Sequence, residues 1–366
     1  MARLSVFVIS YNRHYELKKK INFFYKNFHK EIKIFVIDGS LKKLQLNRKK
    51  LINKNINYIH YPTEDYHLRL NYLSNLIKTP YTQIQNDDDY FDQRTLLKCC
   101  NLLEKNKKKG YVSCYGNSGI YSKYKSQIYI KQLFNLDKKK LNSNNNRYIR
   151  LKSYFIDNPY SPAIYFSVTQ KKVLKNIISI FKKSREYYGE DIQLFAETLI
   201  TSTVLMSGKS IYVDDIFWLR NDSDIKKRME FKKIKKLIKN THVYSAVTQY
   251  LYERHVKKNY LNNFFSNIFV HLKIPDSEEY FLKKISKIFL QFYMIGFHNK
   301  NKFSLKKKII SIISLILPSC IKKYIRFNFG INGPSINEIC TGKKKVNFKF
   351  RKAFLYEIEK YFINYS

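Results

Sequence analysis

The chain has 366 residues, of which 69 are Lys or Arg and 28 are Asp or Glu, giving a formal net charge of +41 on a sequence that is 44% apolar and 16% aromatic. That composition excludes a disordered chain, and the length suits two domains or one domain with a large appendage. The charge itself does not specify nucleic-acid binding: only 13 of the basic residues are Arg, the residue of bidentate base and phosphate recognition, and no zinc-finger, helix-turn-helix or RNP-like pattern accompanies them.

What the charge does provide is a long-range positive field that attracts nucleotides, anionic lipid or acidic glycans without choosing among them. No nucleic-acid partner is expected. The cysteines Cys99, Cys100, Cys114, Cys320 and Cys340 are odd in number and lack metal-type spacing, so reduced thiols in the cytoplasm are the expectation. An apolar run, Leu4 to Ile9, starts almost at once without a signal-like segment before it, and no stretch is long enough to span a bilayer.

Taken in order, that first run ends in Ser10-Tyr11-Asn12-Arg13. A helical pattern follows from about Tyr15 to Phe28, with Leu17, Ile21, Phe24 and Phe28 at helix spacing, and a second apolar run, Ile32 to Ile37, stops at Asp38-Gly39-Ser40. A third strand is expected over Asn57 to His60, a helix over Leu68 to Ile77, and a fourth strand from Tyr81. Strand and helix alternate, which predicts a parallel sheet buried on both faces, with ligands beyond the carboxyl ends of its strands. Asp38 and the run Asp87-Asp88-Asp89 occupy two of those ends.

Three consecutive carboxylates repel one another unless cations or protons stand between them. Continued strand alternation would point Asp87 and Asp89 to one side and Asp88 to the other. Pairing with Lys, or capping of a helix that begins near Gln93, would also account for such a run.

These residues together resemble family 2 glycosyltransferases. Ser-Tyr-Asn-Arg after the first strand, Ile-Asp-Gly-Ser after the second, and Asn71 followed by Thr79-Pro80-Tyr81 and the acidic triplet look like the family's nucleotide-binding half. Tyr187-Tyr188-Gly189-Glu190-Asp191-Ile192-Gln193-Leu194 resembles its Glu-Asp motif opening a helix, and the likeness covers roughly residues 3–222.

The resemblance implies a GT-A fold: a Rossmann-like α/β domain over residues 1–225, its mostly parallel sheet flanked by helices. It implies a nucleoside-diphosphate sugar as donor and Mn²⁺ or Mg²⁺ held by Asp89 and Asp87, a hard cation suited to oxygen ligands and to the diphosphate's charge. Asp87 and Asp88 would also reach the donor, Ser10 and Tyr11 would line its pocket, and Asp38 would meet base or ribose. An Asx turn with Gly39 and Ser40 is the competing account of Asp38. Arg69 lies one residue from the basic position the family uses beside the diphosphate, and a solvated helix face explains it equally well. Asp191, then Glu190, is expected to deprotonate the acceptor hydroxyl in an inverting transfer. A helix N-terminus also favours acids at both positions.

Lesser features complete the chain. Asp157 to Pro162 reads as a constrained loop and resembles the family's acceptor-side segment, which implies that Tyr165 or its neighbours touch the acceptor, and Lys138 to Asn146 reads as an exposed polar loop. Asp214-Asp215 reads as a structural turn or a Lys partner rather than a metal site, and Trp218 as packing. Residues 226–366 form a basic, mostly helical region, in which Ser304 to Pro318 either lies on an anionic membrane surface or seals the domain. The expected protein is therefore a glycosyltransferase of bacterial surface polysaccharide or lipooligosaccharide assembly, acting on a glycan or lipid-linked acceptor at the cytoplasmic membrane face. A retaining transferase, or a non-enzymatic protein binding nucleic acid or anionic surfaces, are the alternatives.

Overall fold

The computed structural model describes residues 2–46, 51–52, 54–124, 127–132, 143–154, 164–188, 196–221, 336–341 and 350–363. Its spine is an open nine-stranded sheet. The strands are β1 (Leu4–Ser10), β2 (Ile32–Asp38), β3 (Ile56–His60), β4 (Tyr81–Asn86), β5 (Tyr90–Phe91), β6 (Tyr111–Tyr124), β7 (Gln127–Gln132), β8 (Val168–Gln170) and β9 (Lys209–Asn221), in the order β3-β2-β1-β4-β8-β6-β9-β5, with β7 on β6.

The expected parallel arrangement holds for the first four strands. β1 runs parallel to β2 and to β4, pairing Ser10 with Asp38 on one side and Ile9 with Asn86 on the other. Every residue of β1 is buried, because helices cover both faces of this half and its apolar run meets no solvent. Beyond β4 the sheet is mixed: β8 is antiparallel to β4 and β6, whereas β9 runs parallel to β6.

The helices are α1 (His14–Lys26), α2 (Tyr66–Tyr72), α3 (Gln93–Lys105), α4 (Arg147–Lys152), α5 (Lys171–Tyr188), α6 (Ala196–Ser207), α7 (Ile336–Cys340) and α8 (Lys352–Ile363). Leu17, Ile21 and Phe24 form the buried stripe of α1, and Leu96, Cys100 and Leu103 that of α3. The helix expected to run to Ile77 instead tightens into a 3₁₀ turn at Leu73–Leu76, just before Thr79 and Pro80 begin the approach to β4. Each large aliphatic or aromatic side chain fully buried in these layers is worth roughly 1.5–3 kcal/mol.

β9 is far longer than the Ser210 to Val213 segment that its sequence advertises. A bulge lets it continue: Gly116 pairs with Val213 and Asn117 with Ile216, which leaves Asp214 and Asp215 as extra residues. Gly116 permits this, since a Cβ there would lie 2.6 Å from the Asp215 carbonyl oxygen. Asp215 accepts a hydrogen bond from Lys98, and Asp214 from Asn117 and Tyr212, so this acidic pair is a bulge within the strand, with a Lys partner, rather than a turn. Trp218 packs against Phe91 and Phe166, with ring centroids 6.3 and 4.4 Å away.

Of the C-terminal region only α7 and α8 are described. α8 buries Phe354, Leu355 and Ile358, and Arg351 just before it pairs with Asp92 at 2.7 Å, at the head of α3. The segment Ser304 to Pro318 lies outside the described residues, as do Asp157 to Pro162 and most of Lys138 to Asn146. Among the described residues Cys99, Cys100, Cys114 and Cys340 are free and buried, and no helix is long and apolar enough to cross a membrane.

Candidate active site at the ends of β1 and β4

The chain builds β1, β2 and β3 outward in one direction and then returns past β1 to add β4. Helical connections therefore diverge between β1 and β4, and a crevice opens beyond their carboxyl ends. Ser10 ends β1, Asn86 ends β4, and the acidic run follows Asn86 directly.

β4 stops at Asn86 and the next residues turn. Strand alternation stops with it, and the expectation that Asp87 and Asp89 share a side is overturned. Instead Asp87 and Asp88 converge on one cation. Arg13 donates from Nη1 to Asp87 Oδ1 at 2.5 Å and from Nη2 to Asp88 Oδ2 at 2.7 Å. Ser10 Oγ donates to the other Asp87 oxygen, Oδ2, at 2.7 Å, and charge-assisted bonds of this kind contribute about 1.5–3 kcal/mol each.

Asp89 sits apart from that clamp. None of its surface is exposed, its Oδ2 accepts from Asn86 at 3.2 Å, and its carbonyl accepts from Lys20. Burial pushes its carboxyl up, against the pull of the Arg220 and Lys20 cations and of hydrogen bonding from Trp218 and Asn86. Lys20 is itself wholly enclosed, its ammonium over the rings of Phe24, Phe91 and Tyr90. Burial pulls it down to about 7, opposed by Asp89 and Asp87.

Asp38 is fully buried and both of its oxygens are engaged. Oδ1 accepts from the Ser40 amide at 3.0 Å and the Ser40 hydroxyl at 2.5 Å, and Oδ2 accepts from Tyr58 at 2.7 Å, with His14 Nε2 3.3 Å away. The Asx turn is thus present, and it ties β2 to the following loop. Its Ser40 hydroxyl accepts the Asn12 amide at 2.9 Å, which fixes Asn12 in the left-handed region at φ 53° and turns the chain from β1 into α1.

Arg69 is not on a solvated helix face; it is 5% exposed and points under the crevice. Its nitrogens donate to the carbonyls of Ser10 at 2.6 Å, Glu64 at 3.1 Å and Asp65 at 3.4 Å, so three of its five N–H groups brace the loop after β1. Gly39 makes room for it, since a Cβ would sit 2.7 Å from Arg69 Cδ. Tyr11 stands partly exposed above this brace, its ring 5.5 Å from the guanidinium carbon and its hydroxyl 3.4 Å from Glu64.

Glu190 and Asp191 lie outside the described residues. Tyr165 is buried, its hydroxyl 2.9 Å from that of Tyr66. Burial holds its phenol well above the usual range, and the charges of Glu197, in the first turn of α6, and Asp89 add to the effect.

Sequence reasoning missed Arg13 and Lys20. Lys20 left a trace: it stands three residues after Leu17 and four before Phe24, on the buried stripe of α1. Among the described residues no three His, Cys, Asp or Glu side chains gather as a ready metal cage. Asp87 and Asp88, bridged by one guanidinium, are an all-oxygen pair whose chemistry suits a hard divalent ion.

No family model and no curated protein matches the chain. Among solved structures it is similar to S. aureus TarS, with a TM-score of 0.45 and 13% identity over 81% of this chain and 55% of that one, so it spans about half of TarS. It is also similar to S. aureus TarS 1-349, at TM-score 0.45 and 12% identity over 82% of this chain and 91% of the other. The same TarS fragment in complex with UDP-GlcNAc gives 0.46 and 12%, over 82% and 92% of the two chains.

Proposed function

We propose that the chain is a metal-dependent, inverting glycosyltransferase that moves a sugar from a nucleoside diphosphate to a hydroxyl of a saccharide or lipid-linked acceptor. One observation carries the reading: at the switch point of an open α/β sheet, the Arg13 guanidinium bridges two buried carboxylates. Beside them begins α1, a 13-residue helix whose cap residue, Arg13, makes no side-chain capping bond. Its first-turn amides and the positive end of its dipole favour an anion in the crevice.

In this reading Asp87 and Asp88 would hold Mn²⁺ or Mg²⁺, Asp88 in place of the expected Asp89, which is fully buried apart from the clamp, and the ion would neutralise charge on the departing diphosphate. The carbonyl-bound Arg69 keeps the β1–α1 loop in place, and Ser10 orients Asp87. Tyr11 offers the base a ring to stack on. Asp191, with Glu190 second, takes the acceptor proton, a role worth roughly 10²–10⁴ in rate. Assembly of a surface polysaccharide or lipooligosaccharide at the cytoplasmic membrane face is the setting that suits such a donor and acceptor.

Thermal unfolding in the presence of Mn²⁺ and a panel of nucleoside diphosphates tests the core of the proposal. UDP and UDP-GlcNAc come first, since they are the ligands of the TarS structures. At least one nucleotide should raise the melting temperature, and Asp87→Asn with Asp88→Asn should abolish the rise. No protection by any nucleoside diphosphate with either metal would sink the reading. The anomeric configuration of the product by NMR then decides between inversion and retention.

A further inference from the structure

Among the described residues Arg13, Lys20, Arg69 and Arg220 all act on the acidic turn, and Arg13 bridges Asp87 and Asp88. Lys20 is wholly enclosed, and Arg69 is 5% exposed with its nitrogens on three carbonyls. Arg13, by contrast, has a side chain 28% exposed, whereas the Asp87 and Asp88 side chains it bridges are 4% and 1% exposed. Two adjacent buried carboxylates need a counter-charge at all times, since removing it leaves uncompensated charge out of water. A divalent ion on the same oxygens would supply that charge and would exclude the guanidinium by both space and repulsion.

We propose that Arg13 is the resident counter-ion of the acidic pair, and that a divalent cation reaches Asp87 and Asp88 only as the guanidinium leaves them for the donor's diphosphate. The second half of this statement rests on the nucleotide-sugar reading above; the first half does not. The destination is close at hand. Arg13 is the cap residue of α1, so its backbone sits where the helix favours a phosphate, and a guanidinium binds phosphate oxygens with two parallel bonds. Its anchor is firm, because the neighbouring Asn12 amide is held by Ser40 Oγ at 2.9 Å, so a rotation of the long side chain suffices for the exchange. The result is an ordered site in which nucleotide and metal each favour the other's binding.

The test counts bound Mn²⁺ by electron paramagnetic resonance on the full chain without nucleotide. Arg13→Gln should bind Mn²⁺ roughly ten- to a hundredfold more tightly than the unaltered protein. The gain should vanish when Asp87→Asn and Asp88→Asn are added. The same variant should bind UDP and GDP more weakly in metal-free calorimetry. Arg13→Lys, which keeps a charge but cannot bridge both carboxylates, should show a smaller gain and serves if Arg13→Gln does not fold. An unchanged or weaker Mn²⁺ affinity in a folded variant overturns the assignment, even if nucleotides still bind. A gain in Mn²⁺ affinity with no nucleotide bound by any of the proteins upholds the counter-ion and sinks the nucleotide-sugar reading instead.

Discussion

One acidic pair lies in the turn after β4 and another within β9, and they have little in common beyond their charge. Asp87 and Asp88 follow β4 at the switch point, nearly buried, clamped by one guanidinium and backed by Ser10. Asp214 and Asp215 are the extra residues of a bulge in β9, where Asp215 meets a lysine whose side chain is 56% exposed. The first pair stores repulsion that a cation must offset; the second is a solvated ion pair on a bend. Adjacent carboxylates alone do not mark a site. Their depth and their place in the strand order do.

The comparison is most sharply tested by neutralising one member of each pair. Asp87→Asn should lower turnover of any donor identified by roughly 10²–10³-fold, measured as released nucleoside diphosphate. Asp215→Asn should change it by less than about twofold and cost no more than about 1 kcal/mol in denaturant unfolding, as exposed pairs do. Equal effects would erase the distinction between the two regions.

The cation beneath the first pair gives a pH signature that the bulge lacks. Burial lowers Lys20 to about 7 in the folded chain from an ordinary 10.5, so between those values the unfolded chain binds a proton that the folded one does not. Stability should therefore rise with pH across that window, by up to about 1.4 kcal/mol per pH unit from this group. The penalty of burying the ammonium is fully present below about pH 7. Lys20→Met should flatten the slope in urea titrations at several pH values; an unaltered slope would remove Lys20 as its source.

A smaller effect is expected at Gly39. An added methyl would collide with the carbonyl of Thr63 and with the Arg69 side chain, so Gly39→Ala should cost roughly 1–3 kcal/mol in urea unfolding. Wild-type stability in that variant would mean that the Arg69 brace is looser than its three carbonyl bonds imply.

The fold's first half was readable because its strands are buried runs that end in turn residues, so the positions of Ser10, Asp38 and Asp87 followed from local patterns. What could not be read depends on contacts between distant segments. Arg13 lies 74 positions from Asp87, and nothing in its neighbourhood announces a partner. Arg69 stayed open between a place beside the diphosphate and a solvated helix face because a helix surface residue and one that reaches back into a loop share the same local sequence. The bulge at Asp214 was hidden for a similar reason, since the glycine that permits it, Gly116, belongs to another strand.

The link between Arg351 and Asp92 spans 259 positions and has a bearing on how the molecule is made. At roughly 5–20 residues per second of synthesis, Asp92 waits tens of seconds for its guanidinium. Throughout that interval the head of α3 holds an anion that, among the described residues, accepts from the Thr95 hydroxyl. Premature termination after β9 and before Arg351 would release the strands of the sheet with Asp92 lacking its guanidinium.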